Sequence, residues 1–278
     1  MTAHQMYDQQ VLTGQAYVDD SKLDVRYRTH QLYTVNPVDF GRWTLERLSL
    51  RGDERVLDVG CAHGGLLREM AQQNPRWGAL VGSDLSPGMV AKALRQRAGG
   101  GVLWFVGDAQ VLPHPQATFD VVMARHMLYH VPDIGQAVRE AARVLVPGGR
   151  LLAVTNSAQT MPEYHAILDR AAERFPGIGR SMEAAGRFSL ENGVSLLGPY
   201  FESVQTHTLE GTLRFPAPQP FVDYVGSSRA LIMRPGSSDG EWHAVLEYVR
   251  TETESIIDRQ GCLDVTKITG AFVATAGP

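Results

Sequence analysis

Between residues 51 and 157, short apolar runs alternate with stretches of helical texture, and this alternation limits the fold more than any other feature of the chain. The runs fall at 55–59, 80–84, 102–106, 119–124 and 149–155 and are rich in Val, Leu and Phe. Helical spacing fills 64–73, 87–97 and 134–144. Runs such as VVMA and LLAV show no polar alternation, as expected of strands covered on both faces. Repeated β–α units predict a mostly parallel sheet with helices on both sides, and right-handed crossovers make it doubly wound.

The flanks read differently. Residues 1–50 are polar and aromatic, and Val38, Trp43, Leu45 and Leu48 form a stripe that predicts a helix opening at Asn36–Pro37. We read 1–50 as an N-terminal helical lid and 51–278 as the main domain, with 158–200 and 214–262 as substrate-side cap elements. Within that domain, 161–175 reads as a helix stopped at Pro176–Gly177, and 242–259 as a helix stopped by Gly261. Residues 201–215 suit one long strand or a strand pair. The proline- and glycine-rich stretch 216–240 reads as loop, and 265–274 as a final strand in which Gly270 marks a bulge or a close approach.

Composition excludes some classes. Hydrophobic residues make up 44% and charged residues 20%, which is inconsistent with disorder. A net charge of -4 gives no whole-molecule attraction to nucleic acid or an anionic membrane. The arginine pairs Arg95/Arg97 and Arg139/Arg143 are too few for an RNA-binding stripe. Cys61 and Cys262 make no disulfide framework. With neither a leader pattern nor an apolar run of spanning length, the expectation is a cytoplasmic protein, monomer or homodimer, without membrane or nucleic-acid partners.

The chemistry gathers at strand ends. VLDVGCAHGG places Asp58, Gly60 and Gly64 on the first strand and the turn into the first helix. A dinucleotide fingerprint would read G-x-G-x-x-G with a pyrophosphate over the helix start. Here the pattern is Asp58-x-Gly60-x-x-x-Gly64, and a carboxylate two places before the first glycine suits a ligand ammonium better than a pyrophosphate. Asp84 ends the second strand, placed for ribose hydroxyls. Asp108–Ala109 follow the third strand, placed for the amine edge of an adenine, and Arg125–His126 follow the fourth. All lie at carboxyl ends of parallel strands, where open α/β sheets bind ligands.

Five segments in this order, VLDVGCAHGG, VGSDLSPGMV, FVGDAQVLPHPQATFDVV, ARHMLYHVPD and RVLVPGGRLLAVTNS, make the chain resemble the class I S-adenosylmethionine-dependent methyltransferases. The resemblance covers at least residues 51–157. It implies a Rossmann-like, seven-stranded sheet whose last strand is antiparallel. It also implies that Asp58, backbone atoms of Gly60 and the carbonyl of Arg125 hold the methionyl ammonium. Arg26, with Arg28 as competitor, would pair the methionyl carboxylate, and Arg26 and His30 would close over that end of the cofactor. Asp84 would take the ribose hydroxyls, Leu85 would pack on the adenine, and Asp108 and the Ala109 N–H would meet its edge. The glycine turn departs from the family pattern at Ala62, where a second glycine is usual; Ala62 and Gly64 remain in the expected cofactor-binding set.

The implied reaction is in-line methyl transfer to an oxygen or nitrogen nucleophile of a small molecule, with carbon acceptors possible, giving S-adenosylhomocysteine. An RNA-modifying enzyme, a cofactor-binding protein without catalysis and a nicotinamide oxidoreductase are the other readings. His126 and His130 are the candidate acid/base groups. Methyltransferases of this kind carry a histidine at the His130 position across unrelated substrates, which favours a structural role there. His114, between prolines, reads as a surface loop residue. His4, His165, His207 and His243 are dispersed, so no metal is expected. Cys61 reads as a small buried residue. Tyr7, Tyr17, Tyr33, Phe221 and Tyr224 are candidates to line an acceptor pocket, each competing with ordinary packing.

Overall fold

Eight strands hydrogen-bond into one sheet: β1 (Thr34–Val35), β2 (Arg55–Val59), β3 (Ala79–Asp84), β4 (Val102–Val106), β5 (Phe119–Arg125), β6 (Leu145–Asn156), β7 (Ser203–Phe215) and β8 (Leu263–Thr275). Their order is β1-β7-β8-β6-β5-β2-β3-β4. The computed structural model describes residues 12–16, 21–96, 101–179 and 186–278; His4, Tyr7, Tyr17 and Arg97 fall outside this set. Strands β4, β3, β2, β5 and β6 run parallel, and β8 lies antiparallel to both β6 and β7. This is the doubly wound, mostly parallel α/β architecture expected. The strand count differs from the expected seven because Thr34–Val35 adds to the outer edge of β7. Two residues are too few to leave a periodic signal.

Strand residues alternate between two cores, as the two-residue period of a strand requires. In β2, Val56 joins one core while Leu57 and Val59 join the other; in β5, Val121 and Met123 oppose Val122 and Ala124. Both faces are dry, which is why these strands read as unbroken apolar runs.

The helices are α1 (Ser21–Tyr33), α2 (Phe40–Glu46), α3 (Gly65–Gln73), α4 (Pro87–Arg95), α5 (Ile134–Val144), α6 (Pro162–Arg174), α7 (Gly193–Leu197), α8 (Pro218–Gly226), α9 (Arg229–Ile232) and α10 (Asp239–Gln260). Helix α2 opens later than Asn36–Pro37. Asn36 takes the left-handed region (φ 52°), and Asp39 caps the helix by accepting from the Arg42 N–H at 2.9 Å. Two further expectations need correction. The 216–240 stretch is largely helical, because Pro218 opens α8 and Pro220 sits in its first turn, where the backbone N–H has no intrahelical partner to lose. The last parallel strand begins at Leu145 rather than Gly149.

β7 and β8 form one unbroken ladder from Ser203–Thr275 to Phe215–Leu263. β6 reaches only as far as Asn156–Thr269, so residues 263–268 of β8 project past the carboxyl ends of the parallel strands. A separate core fills this projection, where Phe215, Phe221, Val245 and Val265 are fully buried among the β7–β8 ladder and helices α6, α8 and α10. β1 clips α1 to the same projecting end through Thr34–Leu213 and Val35–Thr212 pairing.

Gly270 marks a close approach and no bulge, since the register passes through it without a shift. A Cβ there would lie 2.2 Å from the His207 carbonyl oxygen, a backbone atom that cannot step aside. Gly270→Ala is therefore expected to cost about 1–3 kcal/mol by overpacking. Chemical denaturation checks this, and an unchanged midpoint would contradict it.

Candidate active site

The turn after β2 is built around three left-handed residues, Gly60 (φ 70°), Ala62 (φ 49°) and Gly64 (φ 77°). Only glycine enters this region without steric cost, so Ala62 carries strain that a glycine would not. A compensating contact holds it: the Ala62 N–H donates to Asp84 Oδ2 at 2.8 Å. Gly64 lies against the Trp104 ring, where a Cβ would come within 2.1 Å of the indole. Cys61 fixes the turn from the other side, its N–H donating to the Ser83 carbonyl at 2.9 Å. Its thiol is buried, and burial pushes its pKa up, which makes it inert as a nucleophile.

Asp58 stands at the centre. It is 1% exposed, and neither carboxylate oxygen has a hydrogen-bond partner. Burial pushes its pKa up to about 6, against the pull of the Arg125 charge and with a push from Asp84. The Arg125 Nε is also buried without a hydrogen-bond partner.

Asp84 closes β3. Its Oδ1 accepts from the Ser86 N–H at 2.8 Å and its Oδ2 from Ala62, so each oxygen keeps lone-pair capacity for a further donor. Burial raises its pKa, partly offset by those two backbone bonds. Leu85 follows, half-buried. Asp108, after β4, bonds Gln110 through the backbone N–H at 2.9 Å and the side-chain amide at 3.1 Å, with Ala109 buried beside it.

His126 directly follows β5 in the left-handed region (φ 53°), its N–H bonded to the Val154 carbonyl at 2.9 Å. Its ring faces Phe40 at 5.8 Å. Burial lowers its pKa to about 3, helped by the charges of Arg125, His30, Lys267 and His130. His130 closes a 3-10 turn, its ring 4.5 Å from that of Tyr129. Arg26 and His30 come from α1. The His30 ring meets Tyr224 edge-on at 5.8 Å, and burial, then Lys267, then Arg26 lower its pKa to about 4.

Comparisons with known proteins give this arrangement a family. A family profile described as a methyltransferase domain matches residues 57–153. Residues 57–153 are a class I methyltransferase domain. The chain is 36% identical over 141 residues to a 27-O-demethylrifamycin SV methyltransferase of Amycolatopsis mediterranei, covering 49% of this chain and 50% of that one. It is 30% identical over 177 residues to the ubiquinone/menaquinone biosynthesis C-methyltransferase UbiE of Ectopseudomonas mendocina, covering 62% and 66%. The chain spans about half the length of the first curated relatives it matches. A solved Bacillus halodurans protein described as a methyltransferase superposes with a TM-score of 0.60 at 20% identity, over 87% of this chain and 100% of that one. At that identity the likeness speaks for the fold alone.

Asp58, Gly60, Ala62, Gly64, Asp84, Asp108 and Arg125 all lie at or just past the carboxyl ends of β2–β5, and α1 carries Arg26 and His30, the latter beside Lys267 and Tyr224. Other expectations move. His114 is half-buried in its loop, its ring packing edge-on against Phe105 (5.1 Å) and Phe119 (4.9 Å). Tyr33 stacks on Phe215 at 5.3 Å, and Phe221 and Tyr224 belong to the buried projection. Among the described residues no group of His, Cys, Asp and Glu could hold a metal, and no helix is long and apolar enough to cross a membrane. The residue that sequence reasoning passed over is Lys267 of β8, whose Nζ lies 3.5 Å from His30 Nδ1. Its one signal is a single lysine in the run VTKITGAFVA.

The raised pKa of Asp58 has a stability consequence. A carboxylate whose folded pKa lies above its unfolded value destabilises the fold above the folded pKa, and that cost vanishes below the unfolded one. The cost thus appears as pH rises from about 4 to about 6. Asp58→Asn is expected to stabilise the ligand-free protein at pH 8 by on the order of 2–3 kcal/mol, with no gain at pH 4. Denaturant titration at the two pH values tests this; an equal effect at both would contradict it.

Proposed function

We propose that the chain transfers the methyl group of S-adenosylmethionine to an oxygen or nitrogen nucleophile of a small molecule, releasing S-adenosylhomocysteine. The observation that carries this reading is the buried Asp58 carboxylate, two residues before the Gly60 turn, with both oxygens lacking a protein partner. An unpaired buried carboxylate is costly, and a ligand ammonium would satisfy it with a charge-assisted bond.

Asp58, the Gly60 backbone and the Arg125 carbonyl would hold the methionyl ammonium, and Arg26 the methionyl carboxylate. The remaining lone pairs of Asp84 suit ribose hydroxyls, with Leu85 against the adenine and Asp108 and the Ala109 N–H at its edge. Ala62 and Gly64 shape the turn that lets the ligand approach backbone. The cofactor supplies a methyl group already activated on a sulfonium. The protein contributes alignment, which reaches as much as ~7–11 kcal/mol in the best intramolecular cases, and exclusion of water beneath α1 and the projecting core. Relatives named for small-molecule acceptors support a small acceptor here, and one named as a C-methyltransferase keeps carbon within reach.

His126 is the group proposed to face the nucleophile, with His130 one turn further on. With its pKa near 3, His126 is neutral throughout the working range and able to accept a hydrogen bond, yet it is a weak base. Its own ionisation is therefore expected to leave kcat/KM flat between about pH 5 and pH 8. A limb near pH 6.5 that disappears in His126→Asn would contradict this.

Binding tests the whole reading. S-Adenosylhomocysteine at 100 times its Kd should stabilise the protein by about 2.7 kcal/mol, with NAD giving no thermal shift. Stabilisation by NAD alone would replace methyl transfer with hydride transfer.

A further inference from the structure

Lys267 lies on the part of β8 that projects past Asn156, above the carboxyl ends of the parallel strands. Its Nζ reaches His30 Nδ1 at 3.5 Å, and among the described residues no carboxylate pairs with it. Burial holds its ammonium below the usual lysine range. His30 in turn sits edge-on to Tyr224, and the charges of Lys267, His30 and Arg125 all reach His126. Arg125, whose charge also acts on Asp58, precedes His126 in the chain, and Lys267 and His30 act on the same imidazole from β8 and α1.

The acidic groups at the strand ends lie on the other side. Asp58 and Asp84 sit on β2 and β3, on the cofactor side, and Asp108 is bonded to Gln110. Among the described residues, the groups gathered around His30 are cationic or neutral: Arg26 from α1, Lys267 from β8, and the buried hydroxyls of Tyr164 and Tyr224, while the Glu163 carboxylate of α6 is taken up by the N–H and hydroxyl of Thr266, next along β8, at 2.9 Å. A half-buried ammonium without a counter-ion costs stability that an apolar side chain at the same place would not. A ligand oxyanion would remove that cost and bind through a charge-assisted bond.

We propose that Lys267, with His30 beside it, anchors an ionised oxygen acid on the methyl acceptor, so that the acceptor class is small organic anions: carboxylates, phenolates or enolates. This rests on the methyl-transfer reading, because the anchor is defined by its position across His126 from the cofactor groups. Lys267 acts here as a binding residue that places the acceptor; a cationic acceptor would meet an opposing field, and a neutral one would lack the charge-assisted bond.

The test uses the full chain saturated with S-adenosylhomocysteine and a ligand-observed NMR screen of small aromatic and aliphatic acids, each matched with its neutral carboxamide. Wild type should bind acids in preference to their amides. Lys267→Met should lose that preference by about tenfold or more, the loss expected for one charge-assisted contact. Lys267→Arg should keep most of it, and all three proteins should bind S-adenosylhomocysteine alike, which also reports that the variants are folded. Acids and amides binding alike, neither binding, or an acid preference that survives in Lys267→Met would overturn the proposal. Failure of wild type to bind S-adenosylhomocysteine would instead remove the cofactor reading itself, and the anchor with it.

Discussion

A carboxylate buried at the end of a parallel strand, with no donor of its own, is the constraint around which this molecule is arranged. Asp58 shares a face of β2 with Val56 and so belongs by position to a dry core. It is tolerated there because the strand ends at that point and the backbone turns away through Gly60, Ala62 and Gly64. The charge of Arg125 offsets part of its desolvation. The neighbouring acid, Asp84, is held differently. Two backbone N–H groups fix its oxygens, and one of them comes from Ala62, the strained residue of the turn. The turn, the second strand and the buried acid are thus one unit, and a change at Ala62 or Asp84 would be felt at Asp58.

The second organising element is the long β7–β8 ladder. The parallel strands stop, but the β7–β8 ladder continues and carries its own core of Phe215, Phe221 and Val265. That core supports α1 through the short β1 pairing, which is how residues far apart in sequence, His30 and Lys267, come within 3.5 Å. The strand ends therefore carry two groups of different chemistry: acids on β2 and β3, and cations with neutral imidazoles on α1, β8 and the end of β5. Burial drives both, raising the acids and lowering the histidines and the lysine.

Much of this was legible in the sequence, for physical reasons. Strands covered on both faces leave continuous apolar runs, so β2, β3 and β5 were readable almost to the residue, and the acids at the strand ends followed from them; β4 is an edge strand with Leu103 and Val106 exposed, yet its run is apolar too. Gly270 was readable as a bulge or a close approach, because a glycine in an apolar strand has few other uses, and the unshifted register selects the second. What failed was whatever depends on tertiary placement. Prolines at 218 and 220 mimic a loop signal while occupying a helix start. The strand at Thr34–Val35 exists only because β7 offers an edge. His114, flanked by prolines, looked exposed, yet it sits between two phenylalanines. Lys267 in a strand carries no mark of burial at all, since only the projecting ladder and α1 enclose it.

The account turns on the claim that Asp58 waits for a cation, and the most direct measurement is its pKa by carbon-13 NMR of the side-chain carboxyl, with and without S-adenosylhomocysteine. In the free protein it should titrate near pH 6. In the complex, an ammonium at hydrogen-bonding distance should return it to or below the ordinary carboxylate range. A value that stays near 6 on saturation would contradict the claim, as would a free-protein value already in the ordinary range.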